Sequence, residues 1–237
     1  MNKYISLSKY PGKQGFYYYT EFFKLYNIDA EYTPIGTDNL QEEISRAKDS
    51  DVKGISVSMP FKQEIIKYLD WADSTVTEYE TCNTVVNRDG RLYGYNCDYS
   101  GAQRVLQDIV LKDYVTVLGA GSIGSMIFKM LKHNANLISP RLGNWPQRHE
   151  PASVVINCTN QGTVSEKSPM DYIPDGCRIV VDLTINDCEL AKQAASLGVK
   201  YISGQEFYKY QFMEQFKIYT GRTVNTQDYD DIRLARR

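Results

Sequence analysis

With 237 residues, 42% of them apolar and 24% charged, the chain is long enough to bury a sizeable core and to form one large or two small domains. Its net charge of −2, with signs interspersed, carries no electrostatic footprint for nucleic acid or a membrane surface, and no stretch reaches the ~18 apolar residues of a spanning helix. Small-molecule partners and a cytoplasmic monomer or homodimer are the expectation. The five cysteines form no CxxC pair and stand at no ligand spacing to His133 or His149, so no metal is expected and the thiols read as buried and reduced.

Residues 3–8 read as a first strand. After the Pro11-Gly12 turn, Phe16, Tyr19, Phe23 and Tyr26 recur at spacings of three and four, which predicts an amphipathic helix over 14–27. A short strand over 31–35 follows. Asp38 with Gln41 three residues on resembles a capping box, opening a helix whose apolar face is Leu40, Ile44 and Ala47, before a strand over 54–57. This β-α-β-α-β alternation argues for a mainly parallel sheet covered by helices.

Pro60 stands where a next helix would begin, running to about Leu69 with Ile65, Ile66 and Leu69 inward and Lys62 in its first turn. A cation there opposes the helix dipole by ~0.3–1 kcal/mol, which disfavours the charged form and suits a group that exchanges protons. An exposed lysine of no consequence is the alternative on local sequence alone. Next, Thr84–Val86 and Leu92–Tyr95 are strand formers around the turn dipeptide Asp89-Gly90, a hairpin whose open ends carry Asn83, Asn96 and Asp98. That pairing brings an amide and a carboxylate together. Asp98 is equally placed to cap a helix over 100–111.

From Tyr114 the pattern is strand over 115–118, the loop Gly119-Ala120-Gly121-Ser122-Ile123-Gly124, then helix over 125–132. In that context G-x-G-x-x-G lets backbone amides approach a pyrophosphate at a helix N-terminus. The next strand, 136–139, ends in Ser139-Pro140-Arg141, where an NAD site would show an acid; a cation favours the 2′-phosphate of NADP. Strands follow over 154–158, 179–183 and 200–202, with a helix over 189–197 and another over 206–220. The charged tail from Thr226 reads as frayed or a solvated surface helix.

GISVSMPFKQE at 54–64, CNTVVNRDGRLYGYNCDYSG at 82–101, GAGSIG at 119–124, INCTNQG at 156–162, VVDLT at 180–184 and SGQEFYKYQF at 203–212 together, and in this order, resemble the shikimate dehydrogenase family over nearly the whole chain. The resemblance implies an α/β fold of two domains. An N-terminal, mainly parallel substrate domain would be built from 1–98 plus 206–237, and a Rossmann-like NADP-binding domain from 99–205. It further implies an NADP-dependent oxidoreductase of aromatic amino acid biosynthesis acting on a CH–OH group. Lys62 matches the lysine of the family's N-V-T-x-P-x-K motif and Asp98 the aspartate of its G-x-N-T-D motif, so the two form the expected catalytic pair. Ser58, Asn83 and Gln205 would bind ring hydroxyls. Gly119, Ala120, Gly121, Ser122, Ile123, Gly124, Arg141 and Thr159 would hold the cofactor.

Two regions depart from the family. Its paired serines fall at Lys13 and Gly15, and the tyrosine after its V-D-L segment falls at Ile185, so neutral donors for a substrate carboxylate are missing: either Lys13 replaces them with one charge, or the substrate carries its acid elsewhere or has none. Ser6 and Ser8 lie too early, in the strand. Only LGNWPQRHEPAS separates Arg141 from the next strand, in place of a full helix, which leaves Trp145 or Arg148 to cover the adenine side. These departures keep open a second expectation, a catalytically weak nucleotide- or metabolite-binding regulator on the same fold.

Overall fold

The computed structural model describes residues 1–107, 109, 114–162, 167–185 and 188–236. It divides into two compact units, Met1–Cys97 with Gln211–Arg237, and Asp98–Tyr210.

The first unit begins with β1 (Asn2–Ser8), α1 (Gln14–Leu25), β2 (Ala30–Gly36), α2 (Leu40–Lys48), β3 (Val52–Val57), β4 (Trp71–Ala72), α3 (Ser74–Tyr79) and the hairpin β5 (Thr84–Arg88) and β6 (Arg91–Tyr95). The second holds α4 (Asp98–Leu106), β7 (Val115–Leu118), α5 (Ser122–Leu131), β8 (Ala135–Ile138), β9 (Val154–Asn157), β10 (Ile179–Asp182), α6 (Glu189–Ser196) and β11 (Lys200–Ser203). Two helices close the chain, α7 (Gly204–Thr220) and α8 (Thr226–Ala235).

The first sheet has the order β2-β1-β3-β5-β6-β4. β1 pairs parallel with β2 and β3, β5 pairs antiparallel with β3 and β6, and β4 lies parallel to β6. The sheet is therefore mixed, because the hairpin at Asp89-Gly90, with φ of 53° and 82°, reverses the chain as its sequence demands. Side chains alternate between faces. Ile5 and Leu7 join an aliphatic cluster with Ile44, Ile55, Ile65 and Val85, while Tyr4 joins an aromatic one with Tyr19, Phe22, Tyr32, Phe212, Phe216 and Tyr229. Gly54 makes room for the second, since a Cβ there would lie 2.7 Å from Tyr219 and 2.8 Å from Tyr4.

Several local expectations need correction. The segment after Pro60 is not an α-helix: residues 59–63 form turns, a 3-10 helix covers Glu64–Tyr68, and the Met59–Pro60 peptide is cis. Proline at a turn reads the same as proline at a helix start, so the helix dipole invoked for Lys62 has no helix behind it. The cap of α2 is Asn39, whose Oδ1 accepts from Glu42 N while its Nδ2 donates to Glu42 Oε2, whereas Asp38 pairs with Lys9. Helix α5 starts at Ser122, three residues early, directly on Gly121. The tail forms the surface helix that is one of its two readings, α8, capped by Asn225, and only its Tyr229 is buried, stacked on Tyr18 at 4.8 Å. The stretch 74–79, with its Asp73 cap, was not anticipated. The expected helix over 100–111 ends at Leu106, and its last residues fall partly outside the described residues.

The second sheet is parallel throughout, in the order β11-β10-β9-β7-β8. β7, β9 and β10 are buried at every position, as continuous apolar runs covered on both faces require. The short connection after β8 is made by 3-10 turns at Pro140–Leu142 and Trp145–His149. Arg148 and Trp145 anchor it. The guanidinium donates to Pro169 O, Trp145 O and Asp171 Oδ2 and lies over the indole, which packs on the core, so both side chains serve this connection. The start of α7 belongs to this unit because Gly204 packs on Leu183 and Thr184, and Phe207 on Gly101.

Candidate active site

In the first unit the register sets which residues meet. Ser56 lies opposite Thr84, and Thr84 opposite Tyr95, so the end of β3, the start of β5 and the end of β6 share one sheet edge. Ser58, Asn83 and Asn96 stand there, the first exposed and the two amides buried. Lys62 is drawn to the same edge through its backbone, because the Cys82 amide donates to Lys62 O at 2.8 Å. The turn before it is fixed by Ser58 N donating to Leu7 O and Phe61 N to Ser58 O. Phe61 is buried in the aliphatic cluster, leaving Lys62 half-buried. Lys13, just ahead of α1, is exposed.

Asn83 is held through its backbone and through its side-chain oxygen. Val57 N donates to Asn83 O, and Asn83 N to Tyr95 O. Its side-chain Oδ1 accepts from Cys97 N at 2.9 Å and from Thr84 Oγ1 at 2.7 Å. The Cys97 amide so held immediately precedes Asp98, which is buried and opens α4 of the second unit. Asp98 is thus a first-turn carboxylate and not a residue ahead of the helix.

In the second unit the carboxyl ends of the parallel strands gather the other candidates, the edge at which open sheets bind ligands. Gly119 has φ of 101° and donates to Ile138 O at 2.8 Å. Gly124 brings α5 against that loop so closely that a Cβ would lie 1.9 Å from Gly119 O. Gly121 differs: among the described residues nothing lies within 4 Å of a Cβ there, and no side chain caps α5. Its first-turn amides are therefore offered to an anion, which fits a dinucleotide pyrophosphate. Ala120, Ser122 and Ile123 line the same turn. At the end of β8, Ser139 Oγ accepts from Arg141 N, and the arginine side chain is exposed.

Thr159 is positioned differently from a free hydroxyl. Its N and Oγ1 both donate to Asn157 Oδ1, at 3.0 and 2.6 Å, and Oγ1 accepts from Gln161 N. Asn157 in turn donates to the fully buried Asp182, which also accepts from Thr184 N and the Cys188 thiol. One buried carboxylate so ties together the loops after β9 and β10. Burial and the Asp182 charge raise the Cys158 thiol well above its usual range, which leaves it inert. Burial, then Asp98, Cys158 and Asp182, push the Tyr208 phenol up to about 12, so it stays a neutral hydroxyl.

Gln205 donates through Nε2 to Ile185 O at 3.3 Å, and its buried Oε1 has no hydrogen-bond partner among the described residues. Sequence reasoning gave no role to Gln215, whose Nε2 donates to Asn83 O and to Thr84 Oγ1. Ile185 offers only this carbonyl where the family has a tyrosine.

Residues 14–85 match the shikimate dehydrogenase substrate binding domain. The chain is 31% identical to the shikimate dehydrogenase (NADP(+)) of Pyrococcus furiosus, over 91% of this chain and 86% of that one. With the Pyrococcus abyssi enzyme of the same name identity is 29%, over 91% and 88%. Shikimate dehydrogenase from Aquifex aeolicus is similar in structure, with a TM-score of 0.84 at 25% identity, covering 98% of this chain and 97% of that one. The shikimate 5-dehydrogenase of Thermus thermophilus in complex with NADP(H) and shikimate shares the fold, with a TM-score of 0.82 at 20% identity over 98% of each chain.

Proposed function

The chain belongs to the shikimate dehydrogenase family, and on that premise we propose that it is an NADP-dependent dehydrogenase interconverting a ring hydroxyl and a ketone, in shikimate and 3-dehydroshikimate or a related cyclitol acid. The observation that carries the reading is the hydrogen bond from the Cys82 amide to Lys62 O, which ties the lysine turn to the strand start bearing Asn83. An alcohol oxidation needs one group to exchange the hydroxyl proton and others to fix the ring. Lys62 takes the first role, with Asp98 as its partner, and Asn83, Ser58 and Gln205 hold ring hydroxyls. NADP, when bound, supplies the nicotinamide that accepts or donates the hydride. The residues for it are Gly119 to Gly124, Arg141 on the 2′-phosphate, and Thr159, whose backbone rather than hydroxyl would face the cofactor.

Lys13 supplies one cation where two neutral hydroxyls are absent, and its exposure lets it follow an acid group of varied placement. Free thiols at all five cysteines fit a reducing compartment such as the cytoplasm. The same missing donors favour the second reading, a regulator that binds nucleotide without turnover. The assay is absorbance of reduced nicotinamide with NADP and shikimate, quinate or other cyclitols. Turnover on any of them is the expected result; binding of NADP with no turnover on any would leave the regulator.

A further inference from the structure

Gln215 lies buried among aromatic rings on α7, yet all of its amide capacity is used. Its Nε2 donates to Asn83 O at 3.2 Å and to Thr84 Oγ1 at 2.7 Å. Its Oε1 accepts from Tyr19 OH at 2.8 Å and from Ser56 Oγ at 3.2 Å. Tyr219 OH closes the group on Ser56 at 3.1 Å. All of these residues belong to the first unit. An apolar side chain would fill this space at lower desolvation cost, so a fully satisfied polar group here points to a demand for orientation.

Two backbone groups of fixed polarity decide that orientation. Asn83 O can only accept, so Gln215 must present Nε2 to it and Oε1 to the tyrosine. Nε2 then occupies a lone pair of Thr84 Oγ1, and the threonine proton is directed to Asn83 Oδ1, at 2.7 Å against 3.2 Å for Cys97 Sγ. At the far end Cys97 N–H can only donate, which requires Asn83 to turn Oδ1 and not Nδ2 toward it. The Tyr19 phenol is held neutral by burial and remains a donor.

We propose that Tyr19, Gln215 and Thr84 form a positioning relay that locks the Asn83 carboxamide with its Nδ2 outward, so that the site meets its substrate with a donor aimed at a hydroxyl or carbonyl oxygen. This deepens the proposed function and rests on it for the identity of the ligand, not for the relay itself.

The test uses the full chain in two readouts. In steady state, Gln215→Met is expected to raise KM for the alcohol roughly 3- to 10-fold, as loss of one oriented hydrogen bond implies, with NADP binding unchanged. In an Asn83→Ala background the same change should add nothing. Gln215→Glu should not rescue, since it has no N–H for Thr84 or Asn83 O. Equal effects in both backgrounds would overturn the relay. In hydrogen exchange, which needs no turnover, Gln215→Met should speed exchange of the Cys97 amide relative to the β5 and β6 ladder amides; unchanged relative protection would overturn the relay even if the dehydrogenase reading stands. Tyr19→Phe keeps the ring and its stack on Tyr32, and should shift both readouts the same way by less, which covers a Gln215→Met chain that fails to fold.

Discussion

The two units prepare their parts of the chemistry by opposite means. In the first, the candidate groups are side chains fixed by other side chains across a mixed sheet, from Tyr19 through Gln215 and Thr84 to Asn83. In the second, the candidate anion site is backbone: a glycine at φ 101°, a glycine too close to its neighbour for any Cβ, and a helix start with no side-chain cap among the described residues. Substitution in the first unit should therefore change chemistry or substrate affinity before it changes the fold. In the second, replacing the wrong glycine should damage the fold before any ligand is involved.

The largest effect expected is on Lys62. If it exchanges the substrate hydroxyl proton, Lys62→Ala lowers kcat by ~10²–10⁴ with KM little changed, and Lys62→Arg does not rescue because a guanidinium cannot accept a proton. Asp98→Asn acts in the same direction and less than additively with the lysine change. Steady-state kinetics with the melting temperature measured alongside checks this, and full turnover by Lys62→Ala breaks the assignment.

The glycines sharpen the contrast. Gly124→Ala must push a methyl into Gly119 O, 1.9 Å away, and overpacking of this kind costs about 1–3 kcal/mol or more. Thermal unfolding without ligand should show it. Gly121→Ala meets nothing within 4 Å and has an ordinary φ of −81°, so stability should stay within about 0.5 kcal/mol while NADP binding weakens. A reversed pattern would mean that Gly124 shapes the ligand site and Gly121 the fold.

Arg141 is the proposed cofactor residue with a charged side chain in the second unit. Losing a charge-assisted contact to the 2′-phosphate costs ~1.5–3 kcal/mol, so Arg141→Ala should weaken NADP and leave NAD nearly unchanged in direct titration. Equal losses for both would remove the arginine from the 2′-phosphate.

How much of this the sequence disclosed follows from how local each constraint is. The glycine loop and the Asp89-Gly90 hairpin are legible because their backbone angles are set by residues adjacent in the chain. The β-α alternation and the buried runs of β7, β9 and β10 are legible for the same reason. The Lys62 turn was misread because Pro60 suits a helix start and a turn alike, and the choice was made by Phe61 entering the core. Tyr229 gave no local sign of its partner, since Tyr18 is far away in the chain. The relay was invisible: Tyr19 and Gln215 are 196 residues apart, and only the fold brings the hydroxyl to the amide. Side-chain sites are thus the less legible kind, and the family resemblance supplied Lys62, Asn83 and Asp98 where local physics left them open.

The smallest expected effect tests that lesson at one helix end. Asp38 and Asn39 are both good caps by residue type, and reading along the sequence favoured Asp38 with Gln41. The fold chose Asn39, because Asn39 N donates to Thr37 Oγ1 while the side chain turns to Glu42, and this frees Asp38 to pair with Lys9. Asn39→Ala should then cost ~1 kcal/mol, the usual worth of a cap, read as a fall in unfolding midpoint with an unchanged m-value. Asp38→Ala removes only an exposed ion pair and should cost less, with the difference shrinking in high salt. If Asp38→Ala proves the more destabilising of the two, the cap belongs to the residue that the sequence pattern first indicated, and the start of α2 lies one residue earlier than the hydrogen bonds place it.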